Sequence, residues 1–262
     1  MLPDSGSRPA VVTLPVRGRT LISAHRGGAE LWPENSLTAF RQARGLAVES
    51  VEFDVHPTAD GRIVVHHDAV LGRVVAGEGP LCAMTWADLQ RRRFVAHPEE
   101  RIPLLEELSE LLKPSHLSLR LELKVGPEGD IYSGITETVL ALLAEQAMLE
   151  RTLVSSFDTR YLEAVGRLRP GLHRIWLIRP RLQEEIGVEA VIGQARALGI
   201  PEVDLRAETL QDDWPQRFAE ADLMLGAFAA GERHTIERAL SLGVAMFTTD
   251  RPDLAISIRD ER

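Results

Sequence analysis

Glu52 and Asp54 stand two apart in Val51-Glu52-Phe53-Asp54-Val55, and Glu122 and Lys124 stand two apart in Leu119-Arg120-Leu121-Glu122-Leu123-Lys124. Both stretches read as β-strands, in which side chains alternate between two faces. Glu52 and Asp54 therefore share a face opposite Val51, Phe53 and Val55, and Glu122 and Lys124 share a face opposite Leu119, Leu121 and Leu123. Parallel strands covered by helices are ordinarily apolar throughout, so acids at these places need a reason. Three carboxylates confined together repel one another and lose hydration. They must take up protons, pair with cations or bind a metal. All-oxygen ligation suits magnesium or calcium better than zinc. The plainer alternative is a structural ion network in which Lys124 and Arg120 neutralise the acids.

Two histidines close strand-like segments in the same part of the chain: His25, followed by Arg26-Gly27-Gly28, and His67, followed by Asp68. Either alone could be a structural residue; together they suit a general acid and a general base. Gly27 and Gly28 let the backbone approach a bound anion closely. Arg26 offers a planar fork of donors that matches phosphate oxygens.

Such residues act together only on a scaffold that gathers the ends of several strands. Strand-like segments at 21–24, 50–55, 117–123, 153–155, 174–178, 202–205, 223–227 and 245–248 alternate with helical stretches at 36–44, 104–113, 131–148, 161–169, 188–198, 214–220 and 235–242. Asn35 or Ser36 is the expected N-cap of the first helix. Asp60-Gly61 turns the second strand back through 62–66. Strands followed by helices favour a parallel sheet, and eight of them close a barrel whose site lies at the C-terminal strand ends. The expected fold is α/β, a (β/α)8 TIM barrel, with an open doubly wound sheet as the alternative. A single domain over residues 1–262 is expected, carrying an insertion or lid at about 71–102, where Gly72, Gly77 and Gly79 break the rhythm.

A length of 262 residues suits one such barrel, and a composition 44% hydrophobic and 26% charged is that of a globular protein. The net charge of −9 argues against nucleic acid or an anionic membrane surface as partner. An anionic phosphate substrate would thus need local positive charge. The single cysteine, Cys82, forms no internal disulfide, and nothing calls for an oxidising compartment. The first twenty residues lack a continuous apolar leader run, and no segment approaches the roughly 18 apolar residues of a membrane span. A cytoplasmic protein without stable membrane insertion is expected; the oligomeric state is open.

In order and spacing, these residues resemble the glycerophosphodiester phosphodiesterase family. Its opening pattern is matched by His25-Arg26-Gly27, Pro33-Glu34-Asn35-Ser36 and Ala39-Phe40. Its acidic strand and hairpin are matched by Glu52-Phe53-Asp54-Val55, Asp60-Gly61 and His67-Asp68, its next helix and strand by Pro103–Glu106 and Glu122-Leu123-Lys124. Ser156-Phe157-Asp158 and Thr249-Asp250-Arg251-Pro252 are similar to later family elements, so the resemblance runs from about residue 21 to 254. Two stretches depart from the pattern. After His67-Asp68 the chain runs Ala69 to Val75 without the family's paired threonines, and Gly226-Ala227-Phe228-Ala229-Ala230-Gly231 stands where Trp-Thr-Val-Asn is usual.

The resemblance implies a divalent metal, magnesium or calcium, on Glu52, Asp54 and Glu122. It implies His25 and His67 as the acid–base pair, and Arg26 and Lys124 as phosphate binders. The implied activity is metal-dependent hydrolysis of a small-molecule glycerophosphodiester to glycerol phosphate and an alcohol. The alternatives are a lysophospholipase D-like or phosphoinositide phospholipase C-like barrel, or a catalytically silent phosphate-ligand barrel. A lipid substrate would want an apolar rim, which Val74, Val75, Leu81, Met84 and Trp86 of the insertion could supply unless they form a small buried cluster.

Overall fold

The computed structural model describes residues 19–262. The leader reading of the first twenty residues concerns a stretch that, but for residues 19 and 20, lies outside the described residues. Among the described residues, eight parallel strands close into a barrel: β1 (Leu21–Ala24), β2 (Ser50–Pro57), β4 (Ser118–Leu123), β5 (Thr152–Ser156), β6 (Arg174–Leu177), β7 (Glu202–Arg206), β8 (Met224–Phe228) and β9 (Met246–Thr249). A short ninth strand, β3 (Ile63–Val65), runs antiparallel to β2. Closure is explicit, because β1 pairs with β2 on one side and with β9 on the other. That excludes the open doubly wound sheet. The architecture is a (β/α)8 TIM barrel.

Helices α1 (Leu37–Ala43), α3 (Leu105–Leu112), α4 (Ile135–Glu145), α5 (Thr159–Leu168), α6 (Pro180–Ala197), α7 (Trp214–Glu220), α8 (Arg233–Leu242) and α9 (Pro252–Asp260) follow the barrel strands; α2 (Trp86–Leu89) lies in the insertion. Ser36 is the N-cap of α1, its hydroxyl accepting from the Ala39 N–H at 3.0 Å. Asn35 is freed for another task. Two helices exceed the sequence-based expectation. The helix read over 188–198 begins at Pro180, with a non-helical Gly187 (φ 76°) that broke its periodicity. The sequence pattern predicts no helix after Thr249-Asp250-Arg251, yet Pro252 opens α9, whose Ala255 and Ile258 are buried; proline suits a first helical turn because its missing N–H has no partner there.

The apolar faces of the strands lie under the helices in one continuous core that includes Val51, Phe53, Val55, Leu119, Leu121 and Leu123. Their alternate neighbours therefore face the barrel interior. The insertion builds a second cluster around Val64, Leu71, Val75, Leu81, Leu89 and Phe94, with Val74, Met84 and Trp86 packed against it. Residues that could have formed an apolar rim are thus largely spent on the insertion's own core. Among the described residues no helix is long and apolar enough to cross a membrane.

Candidate active site

Strands β2 and β4 pair in register, with Asp54 beside Glu122 and Glu52 beside Arg120. This register brings the three acids together: one oxygen from each of Glu52, Asp54 and Glu122 lies within 4.8 Å of the others. Their residues are 3%, 0% and 6% exposed, so water screens them little. Burial and the nearby Asp54 push the Glu52 carboxyl up to about 7, with Glu122 adding to the effect. Asp54 moves the other way. Burial would raise it, but the Lys124 and Arg26 cations hold it well below the usual carboxylate range.

Lys124 Nζ lies 2.8 Å from Glu122 Oε1 and 3.3 Å from Asp54 Oδ1. Arg26 Nε lies 3.5 Å from Asp54 Oδ2, and its Nη1 donates to Glu34 Oε1 at 3.0 Å. Arg26 is held there by backbone: it adopts φ 50°, and Gly27 and Gly28 follow at φ 84° and 105°. A Cβ on Gly27 would stand 2.8 Å from the Ala39 Cβ, so α1 can pack this close to the turn only because that residue is glycine. The turn also aims the Arg26 N–H at Glu52 Oε2, 3.1 Å away.

Each histidine is oriented by an acid. His25 Nδ1 donates to Asp250 Oδ1 at 2.6 Å, which leaves Nε2 facing Glu52 Oε2 at 3.9 Å. Burial would lower the His25 pKa, but Glu52 and the bond to Asp250 raise it above its ordinary value. His67 Nδ1 bonds Asp68 Oδ1 at 2.7 Å. Arg73, from the insertion, donates to Asp68 Oδ2 at 2.6 Å and to both Glu34 oxygens at 2.6 and 2.8 Å. A chain of charges therefore runs from Arg26 through Glu34, Arg73 and Asp68 to His67.

The structure brings all seven expected site residues together at the C-terminal mouth. Residues without an expected role complete the site: Asp250, Asp68, Glu34, Arg73, Asn35 and His56. Asn35 Nδ2 donates to Asp54 Oδ2 at 2.9 Å. His56 is buried, donates from Nε2 to the His67 carbonyl at 3.1 Å and lies 3.0 Å from the Tyr132 hydroxyl. The alternation that singled out Glu52 and Asp54 continues to His56, so that signal was present in the sequence. Arg120 shares the inward face but pairs with Asp204 at 2.6 Å deeper in the barrel. Of the ion network read as the alternative, the Lys124 half is present, paired with Glu122 and Asp54, while Arg120 is spent on Asp204 instead.

His25, Arg26, Glu52, His67, Glu122 and Lys124 line a cavity of about 240 Å³, walled also by Phe157 and Phe228, whose rings meet edge-on at 5.7 Å. The carboxylate cluster suits a divalent cation. Its oxygens are buried, Glu52 resists ionisation without further positive charge, and Asp54 Oδ1 accepts no aligned hydrogen bond, its one cationic neighbour being the Lys124 ammonium at 3.3 Å. A cation there, beside a guanidinium, an ammonium and two imidazoles, equips the cavity for an anionic ester, and the class so defined is a metal-dependent phosphodiester hydrolase.

Comparison with known proteins narrows the class. The profile of the glycerophosphoryl diester phosphodiesterase family matches residues 25–254. A glycerophosphodiester phosphodiesterase of Bacillus altitudinis is 31% identical over 251 residues, covering 92% of this chain and 99% of the relative. One from Caldanaerobacter subterraneus is 33% identical over 162 residues, covering 59% of this chain and 65% of that relative, just under two thirds of its length. A solved structure from Agrobacterium tumefaciens superposes with a TM-score of 0.91 at 37% identity, covering 93% of this chain and 98% of the other. The chain belongs to the glycerophosphoryl diester phosphodiesterase family, and is an enzyme of that hydrolytic class.

Proposed function

We propose that this enzyme hydrolyses small glycerophosphodiesters to glycerol phosphate and an alcohol, using magnesium or calcium held by Glu52, Asp54 and Glu122. The observation that carries the reading is the convergence of three buried carboxylates between two acid-supported histidines. When bound, the cation supplies Lewis-acid polarisation of a phosphoryl oxygen. Charge grows on the phosphoryl and leaving oxygens as the ester bond breaks. Arg26 and Lys124 bind the phosphate and offset that growth from fixed positions. His25 and His67 form the acid–base pair: with Nδ1 tied to Asp250 or Asp68, each presents Nε2 to the cavity, one taking a proton from the nucleophile and the other giving one to the departing alcohol.

The insertion, about 71–102, serves the site through Arg73, which steadies Asp68 and so His67. A chain with one cysteine needs no oxidising compartment, and we place its action in the cytoplasm. The test is a panel of glycerophosphodiesters assayed with and without chelator, both products being identified. Release of glycerol phosphate that stops on chelation and returns with magnesium or calcium is expected. Turnover that survives exhaustive chelation would remove the metal from the reading. A cyclic phosphate among the products would mark the substrate's own hydroxyl, rather than water, as nucleophile.

A further inference from the structure

A second cavity, of about 400 Å³, opens beside the first and shares His67, Glu122, Lys124 and Phe157 with it. Two cavities that meet at the carboxylates and a histidine suit a molecule with two arms, which a diester is. The outer wall of the second cavity comes from Phe157 and Asp158, between β5 and α5, and from Arg179, just before α6.

The charges on that wall are not equivalent. Both Asp158 oxygens are occupied by Arg160: Oδ1 accepts from its backbone N–H at 3.0 Å and its Nε at 2.9 Å, and Oδ2 from Nη2 at 2.6 Å. Glu122 is held by Lys124. Across the first cavity, Arg206 is held by Glu208 at 2.8 Å. Arg179 differs from all of these. Its guanidinium carbon sits 4.7 Å from the centroid of the Phe157 ring, and among the described residues it has no carboxylate partner. A guanidinium is a planar array of donors matched to carboxylate and phosphate oxygens. A quaternary ammonium would instead seek an open aromatic face or an unpaired acid. Here the Phe157 face is already covered by Arg179 and the wall's acid is saturated.

We propose that the second cavity receives one alcohol of the diester, and that Arg179 makes it select alcohols bearing a second anionic group, carboxylate or phosphate, over quaternary ammonium alcohols. The inference rests on the diesterase reading above and adds the substrate class. It also locates specificity where this chain departs from its family's usual pattern, since Phe228 packs against the same Phe157 ring.

The test measures kcat/KM of the full chain, metal-loaded, for glycerophosphoglycerate, glycerophosphoinositol phosphate and glycerophosphocholine, in the wild type, Arg179→Gln and Arg179→Lys. Arg179 is exposed, so these variants fold. The wild type is expected to favour both anionic diesters over the choline diester. In Arg179→Gln that ratio should fall about three- to fivefold, the size of an exposed charge interaction, and Arg179→Lys should keep part of it. The arm that falls further identifies carboxylate or phosphate as the natural group. A ratio identical in wild type and Arg179→Gln, or a wild type that prefers the choline diester, overturns the subsite alone. A wild type that cleaves none of the three overturns the diesterase reading and the subsite with it.

Discussion

Stripping divalent cations from this protein should leave a form whose stability falls as pH rises, and restoring them should repair that fall. Glu52 is the reason. Burial, together with Asp54 and Glu122 close by, moves its carboxyl from an ordinary 4.5 up to about 7. Below pH 4.5 the group is protonated in folded and unfolded chains alike and favours neither. Between there and pH 7 the unfolded chain has lost the proton while the folded chain keeps it, so stability declines with rising pH. Above 7 the loss is complete, roughly 3 kcal/mol for a displacement of this size, of which about 2 kcal/mol falls between pH 5.5 and 8. Asp54 is held low instead, so its contribution is present throughout that window and would be lost only in stronger acid. His56, pushed down to about 4 by burial, and Asp204, pushed up to about 7 by burial and by Glu202, add slopes of their own. Neither belongs to the carboxylate cluster, so the difference between metal-loaded and chelated protein removes their slopes and keeps those of Glu52 and of His25, whose ring faces it. Thermal unfolding with chelator and with excess magnesium or calcium, at pH 5.5 and 8, reads that difference. For a chain of this size about 1 kcal/mol moves the midpoint by roughly 2–4 °C, so the metal-induced rise should be about 4–8 °C larger at pH 8. Glu52→Gln should remove the dependence. A rise of equal size at both pH values, or a larger one in acid, would refute the claim that the ionised cluster is what the cation stabilises.

Replacing His25 or His67 with alanine should lower kcat by about 100-fold or more, the usual range for general acid–base groups; a fully active variant of either would end that assignment. His56→Leu removes the donor to the His67 carbonyl. It should cost about 1–3 kcal/mol in urea unfolding, for the acceptor left without a partner, and should lower kcat more than it raises KM. Arg120→Met strands Asp204 in the barrel interior and should cost about 3–5 kcal/mol, most of it regained in the double variant Arg120→Met, Asp204→Leu. If the double variant were no more stable than the single one, the cost would lie in lost packing rather than in the stranded charge.

The barrel was legible because its signals are periodic. Strand alternation in Val51–Val55 and Leu119–Lys124 fixed which face each acid takes, and the structure keeps that assignment in register. Helix α9 was hidden because only nine residues carry it and its opening proline belongs to a motif that draws attention for another reason. The partners of the two histidines were less legible for a different cause. Asp250 lies 225 residues from His25 in the chain, and only closure of β1 against β9 brings them together. Arg73 illustrates the same limit: an arginine in a loop of altered sequence says nothing of Glu34, 39 residues away, until the fold brings the two together.

The altered stretch on β8 makes sense from the barrel floor upward. Glu202 and Asp204 point inward from β7 beneath the site, Arg120 reaches Asp204 from β4, and His173 holds Glu202. This polar floor fills the space beside β8. A Cβ on Gly226 would stand 2.0 Å from Asp204 Oδ1 and 2.9 Å from Glu202 Oε1, so no larger side chain fits with those acids in place. Two residues further along the strand the alternation turns Phe228 to the same face and sets it edge-on against Phe157. The carboxylate cluster is formed on β2 and β4 and takes nothing from β8, so this wall can change shape without disturbing the three acids.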